Sequence, residues 1–291
     1  MLRIDGLRKS YGDKVALDGV TFSVRPGEMF GFVGANGAGK TTTMRIVMGV
    51  LQPDAGEVRW QDRPLDFETR RRFGYMPEER GLYAKMRVGE QLEYFGRLNG
   101  MSPAQAKRSA DELLERLGLT ERRDSEVDSL SLGNQQRVQL AVALIHQPEM
   151  LILDEPFSGL DPIAVDALAD VLVERTAAGV PVVFSSHQLE LVERLCDSIG
   201  IIAAGRMVAV GTVAELRRRE RHKRLRVVLA DAPDGWADRL PGTIVSKDGD
   251  EVILEPDDDQ EVLRQVARLG RVEHFGWVEP RLSEIFREAV G

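Results

Sequence analysis

Apolar residues open the chain in short runs, Leu2 to Leu7, Val20 to Val24 and Met29 to Val33, the last two bounded on both sides by Gly or a charged residue. Runs of this length and setting predict strands. A helical pattern follows over Thr42 to Val50. From Val88 to Asn99, Pro103 to Gly118 and Asn134 to His146 the apolar positions recur at three and four, as in Leu113, Leu114 and Leu117 or Val138, Val142 and Ile145. These stretches predict amphipathic helices grouped as a separate insert. Met150 to Leu153 and Val180 to Phe184 are compact apolar runs, the pattern of strands buried on both faces of a parallel sheet. Pro162 to Ala178 between them predicts the crossover helix, with Pro162 suited to its first turn. Ile199 to Ala203 and Arg206 to Val210 predict a hairpin around Gly205. The alternation marks an α/β fold with a βαβ core.

The pattern breaks at the basic run Arg217 to Arg224, beyond which the tail turns acidic at Asp248 to Glu251 and Asp257 to Asp259. Strand patterns at Leu225 to Leu229, Val252 to Leu254 and Val272 to Phe275, and helical ones at Gln260 to Leu269 and Leu282 to Ala289, predict a small α+β domain over 221–291. The basic run suits a solvated linker and also suits an approach to anionic lipid headgroups.

Composition narrows the class without naming a function. The chain has 291 residues, 43% apolar and 30% charged, as in ordinary globular proteins. A net charge of −8 argues against general attraction to nucleic acid. No run of about eighteen apolar residues is present, and the first residues lack the apolar segment of a signal peptide. The lone cysteine, Cys196, fits a reducing cytosolic compartment and sits at helical spacing in a small buried role. His146, His187, His222 and His274 are scattered singly, with no zinc-ligand spacing.

Chemistry enters at Gly34-Ala35-Asn36-Gly37-Ala38-Gly39-Lys40-Thr41-Thr42, which follows a strand and opens a helix. Its glycines let the backbone bend closely around an anion, so that N–H groups and the helix's positive end converge on polyphosphate oxygens. Lys40 reaches the β- and γ-phosphates in such a cradle, and the Thr41 hydroxyl binds Mg²⁺. The strand Met150 to Leu153 ends in Asp154 and Glu155. Asp154 is placed to hold Mg²⁺, and Glu155 to polarise a water for attack on the γ-phosphate. Between cradle and acids, Leu130-Ser131-Leu132-Gly133-Asn134 opens directly into a helix. A hydroxyl, a small residue and a helix N-terminus can receive an anion, and the same residues can serve as a simple helix cap.

Taken in order, the cradle, the Leu130 to Asn134 turn, Ile152 to Glu155, Ser158-Gly159-Leu160-Asp161 and Ser185-Ser186-His187 resemble the nucleotide-binding subunits of ABC transporters over about the first 215 residues. The resemblance implies a P-loop NTPase core with a mixed sheet (1–80 and 148–220) and a helical subdomain (81–147), with ATP and Mg²⁺ as ligands. It implies that Tyr11 stacks on adenine, an interaction of about 1–3 kcal/mol, and that His187 senses the γ-phosphate. Ser131, Gly133 and Asn134 would meet ATP held by a second copy in a head-to-tail homodimer or heterodimer, with Asp161 linking the two sites. Two positions depart from the usual pattern: Asn134 replaces Gln, and Glu78 replaces a Gln beside the metal. A carboxylate at Glu78 adds negative charge near Mg²⁺ and the attacking water.

With its acidic C-terminal domain the chain is similar to the exporter branch, whose membrane permease subunits are separate polypeptides; this implies a peripheral place on the cytoplasmic face of the membrane. Arg80 and Tyr83 lie where the family receives a helix of the membrane partner. The alternative is an ABC-type ATPase serving a soluble assembly, such as iron-sulfur cluster biogenesis.

Overall fold

The computed structural model describes residues 1–79, 81–219, 224–278 and 282–290. The chain divides into two compact units, Met1–Val213 and Ala214–Glu288. The first opens with β1 (Leu2–Tyr11), β2 (Lys14–Val24) and β3 (Met29–Val33), followed by α1 (Lys40–Val47), β4 (Ala55–Trp60), β5 (Arg63–Pro64), α2 (Phe67–Arg70) and β6 (Phe73–Met76). Three helices come next, α3 (Val88–Leu98), α4 (Pro103–Arg116) and α5 (Leu132–Leu144). The unit closes with β7 (Met150–Leu153), α6 (Pro162–Ala177), β8 (Val182–Ser186), α7 (Leu189–Leu195), β9 (Ser198–Ala203) and β10 (Arg206–Thr212).

These strands form two sheets. One is antiparallel, in the order β2-β1-β4-β5; the other is mixed, in the order β10-β9-β3-β8-β7-β6. β3, β6, β7, β8 and β9 run parallel to one another, and β10 runs antiparallel to β9. Every residue of β3, β7 and β8 is buried, as the apolar runs of β3 and β7 require, and in β8 this includes Ser185 and Ser186 beyond Val182 to Phe184. Aromatic rings fill the space between the sheets: Phe22 of β2 stacks on Phe30 of β3 with ring centres 4.8 Å apart, and Trp60 of β4 meets Phe73 of β6 edge-on at 5.0 Å.

Helices α3, α4 and α5 pack on one another and lie between 81 and 147. Local chemistry starts α4 sharply. Ser102 and Gln105 form a reciprocal capping box, and Pro103 occupies the first turn, where its missing N–H costs nothing. α7 ends at the buried Cys196.

The second unit contains most of α8 (Val213–Arg219), then β11 (Arg224–Ala230), β12 (Thr243–Asp248), β13 (Glu251–Glu255), α9 (Asp259–Leu269), β14 (Arg271–Val278) and most of α10 (Leu282–Val290). Its strands make an antiparallel sheet in the order β12-β13-β11-β14. Leu225, Val227, Val252 and Leu254 of the sheet join Val262 and Val266 of α9 and Trp236 in its core. Among the described residues no helix is long and apolar enough to cross a membrane.

Candidate functional site

β3 ends at Val33, and the chain turns through residues 34–39 straight into α1. Two glycines permit that turn. A Cβ on Gly34 would lie 2.5 Å from the Ile202 carbonyl oxygen, and one on Gly39 would lie 2.9 Å from the Ala16 carbonyl oxygen. Gly39 also holds a φ of 117°, which side chains rarely adopt. The loop is thereby pressed onto β2 and β9 and delivers the positive end of α1, which has no acidic residue in its first turn.

Lys40, the first residue of α1, is only 6% exposed. Its ammonium donates to the Gly34 carbonyl at 2.7 Å and lies 3.9 Å from Glu155 Oε1. Two neighbouring parallel strands bring the other groups. β7 runs into Asp154 and Glu155, and β8 runs into His187. Asp154 is 1% exposed. Its N–H donates to the Met76 carbonyl at 2.8 Å, and Oδ1 accepts from the Ser185 hydroxyl at 2.6 Å. Oδ2 is buried without a hydrogen-bond partner among the described residues. A buried carboxylate oxygen left so is costly, and it is open to a water or a ligand. The same charge, after burial itself, pushes the Tyr75 hydroxyl up, with Arg45 opposing.

Glu155 takes a φ of 52°, unusual for a residue other than glycine. Its N–H donates to Ser185 Oγ at 2.8 Å, and its Oε2 lies 2.9 Å from Nδ1 of the exposed His187. A cavity of about 370 Å³ gathers Tyr11, Asn36, Gly37, Gly39, Lys40, Thr41, Thr42, Glu78, Asp154 and Glu155. Lys14 and Ala16, which the motifs did not mark, line it as well. Asn36, Glu78 and Glu155 also line a second cavity, of about 260 Å³, together with His187, Gln136 and Ser158. Tyr11 ends β1 half-exposed, with Lys9 Nζ 5.9 Å from its ring centre.

The comparisons with known proteins agree with this geometry. Residues 17–158 match the ABC transporter family, and residues 211–290 match the C-terminal domain of DrrA1-3-like ATP-binding proteins. The ABC transporter ATP-binding protein YhaQ of Bacillus subtilis (strain 168) is 39% identical over 100% of this chain and 99% of its own. The chain belongs to the ABC transporter ATP-binding proteins. The daunorubicin resistance ATP-binding protein DrrA3 of Streptomyces coeruleorubidus is 35% identical over 100% of this chain and 96% of its own. A solved ATP-binding subunit of an ABC transporter overlays with a TM-score of 0.70 at 36% identity, covering 75% of this chain and 92% of that one. As a member of this family the cassette binds and hydrolyses ATP.

The remaining residues named from the sequence stand apart from the two cavities. Ser131 is exposed at the start of α5, where its hydroxyl accepts the Asn134 N–H at 3.4 Å. Gly133 lies beside the 159–160 turn, a Cβ there falling 3.5 Å from Leu160 Cδ2. Asp161 caps α6, its Oδ1 accepting from the Ala164 N–H at 2.9 Å. Both caps use one side-chain oxygen each and leave the side chain at the surface.

Mg²⁺ takes hard oxygen donors, often one or two carboxylates with substrate phosphates, and keeps several waters. The cassette offers such a set in the Thr41 hydroxyl, the unpaired Asp154 Oδ2 and Glu78 around one cavity. Among the described residues no group of three His, Cys, Asp or Glu could enclose a metal by itself. Half-exposed Tyr83 packs against Tyr94 and Phe95 of α3, with ring centres 5.8 and 6.0 Å away. The buried Gln91 amide holds both the N–H and the carbonyl of Tyr83. Arg80, expected beside it, lies outside the described residues.

Proposed function

We propose that the chain is the motor subunit of an exporter, in which two copies close head-to-tail around two ATP molecules and pass that closure to separate membrane permease subunits. The observation that carries this reading is the convergence of Lys40 and His187 on one carboxylate, that of Glu155, at the mouth of a phosphate cradle. Tyr11 offers its ring to the adenine. Asn36, Gly37, Gly39 and Thr42 surround the phosphates, and Lys40 exchanges the Gly34 carbonyl for the β- and γ-phosphate oxygens. Thr41, Asp154 and Glu78 hold Mg²⁺, which when bound neutralises phosphate charge. Glu155 accepts the proton of the attacking water, and His187, tethered by Glu155, meets the γ-phosphate.

Ser131, Gly133 and Asn134 of one copy complete the site of the other. The Ser131 hydroxyl accepts within its own turn and so keeps its proton to donate to a phosphate. Asp161 stands next to that turn and links the two sites. Export is supported by the C-terminal match to DrrA1-3-like proteins and by the daunorubicin resistance relative. A permease helix resting on the aromatic group of Tyr83, Tyr94 and Phe95 places the subunit on the cytoplasmic face of the membrane. The test is Glu155→Gln. With ATP it should elute from a sizing column as a dimer while releasing phosphate far more slowly than wild type, and membrane subunits should co-purify. A monomer that releases phosphate at the wild-type rate would sink the reading.

A further inference from the structure

Glu155 is held through its backbone as well as its carboxylate. Its left-handed φ of 52° costs free energy and persists only where the surroundings impose it. Ser185 takes the N–H on one side. On the other, Gln136 Nε2 donates to the carbonyl of Glu155 at 3.0 Å and to that of Pro156 at 3.1 Å. Gln136 is 6% exposed and belongs to α5, the helix whose first turn carries Ser131, Gly133 and Asn134. One turn further along α5, the buried Gln139 donates to the carbonyl of Pro77, next to Glu78. α5 therefore grips the backbone at both carboxylates that reach both cavities, Glu155 and Glu78.

We infer that Gln136 is a positioning residue for Glu155, and that it ties the base over a chain's own nucleotide to the turn with which the same chain meets its partner's nucleotide. Seating of the Ser131 turn shifts α5 as a rigid helix. Because the buried Gln136 holds two successive carbonyls with one amide, the shift moves the 155–156 backbone and with it the carboxylate. Reactions depend steeply on such placement. The inference rests on the reading of Glu155 as the base.

The test uses the full chain and measures kcat, KM and the dissociation constant of a fluorescent ATP analogue. Gln136→Met keeps the length and removes the donors. It should lower kcat about ten- to hundredfold, as misplacement by about 1 Å does, while the dissociation constant stays within about twofold of wild type, within the ordinary scatter of a site left intact. Added to Glu155→Gln, it should bring no further loss, because it acts through that carboxylate. A kcat near the wild-type value, or a loss that multiplies in full with that of Glu155→Gln, would overturn the inference. If Gln136→Met binds no nucleotide, Gln136→Asn, an amide one carbon too short to reach both carbonyls, decides by the same criteria. A wild-type rate in Glu155→Gln alone would instead remove the base assignment.

Discussion

Ser185→Ala removes one hydroxyl from the buried end of β8 and should cost far more than its size suggests. That oxygen donates to Asp154 Oδ1 at 2.6 Å and accepts the Glu155 N–H at 2.8 Å. A hydrogen bond to a charged group contributes about 1.5–3 kcal/mol, and an interior donor left unmet costs about 1–3 kcal/mol. Because both losses fall on one atom they do not add fully, and the expected cost is about 3 kcal/mol. For a unit as large as Met1–Val213, each kcal/mol lowers Tm by about 2–4 °C, so the fall should be about 6–12 °C. Ser186→Ala is the control on the same strand. Its hydroxyl accepts the Gln188 N–H at 3.0 Å, a neutral bond contributing about 1 kcal/mol and thus about 2–4 °C. Scanning calorimetry on both variants reads the difference directly. Equal shifts, or a fall for Ser185→Ala of under about 2 °C, the value expected for a single neutral bond, would refute the idea that this serine braces the two acids.

Three further outcomes are expected. Burial holds the His146 imidazole below its ordinary value of 6.5, with a smaller opposing pull from the Phe73 backbone. The unfolded chain therefore binds the extra proton, so this stability is complete above about pH 6.5 and shrinks as pH falls below it; His146→Phe should flatten Tm against pH in that acid range. Glu78→Gln takes one negative charge from the cavity, worth about 2 kcal/mol against a divalent ion at about 4 Å in water, and should raise the Mg²⁺ needed for half-maximal ATPase about thirtyfold; an unchanged titration would exclude Glu78 from the metal site. Asp258 caps α9 by accepting the Gln260 and Glu261 N–H groups at 2.9 and 3.4 Å. Asp258→Ala should cost about 1 kcal/mol and lower the melting of the smaller unit by about 4–8 °C, with faster hydrogen exchange in α9 as the check.

The legible parts of the fold were those where burial is complete. Met29–Val33 and Met150–Leu153 read directly as strands because every position faces the interior and the apolar run has no gaps. β4 and β12 gave no such signal. In β4 only Val58 and Trp60 are buried behind Ala55, Gly56 and Glu57, and β12 is a sheet edge with most of its residues exposed. α1 begins at Lys40 rather than Thr42, because the cradle itself supplies the first turn. In the site, the residues carried by a contiguous motif could be named in advance. Lys14 and Ala16 could not, since a hairpin brings them in. The grips of Ser185 on Asp154 and of Gln136 on Glu155 join side chains and backbone 31 and 19 residues apart, and no local spacing records such a meeting.

The single cysteine has a practical bearing on all of these experiments. Cys196 is 8% exposed, and burial, aided by the charge of Asp197, pushes its thiol well above the usual range. Only a thiolate attacks maleimides at speed, so the native chain is nearly silent toward them at neutral pH. A cysteine introduced at Leu132, which is 60% exposed beside Ser131, would then react alone. A spin or fluorescent probe attached there would measure how closely two copies approach as nucleotide is added, with no native residue removed to prepare the background.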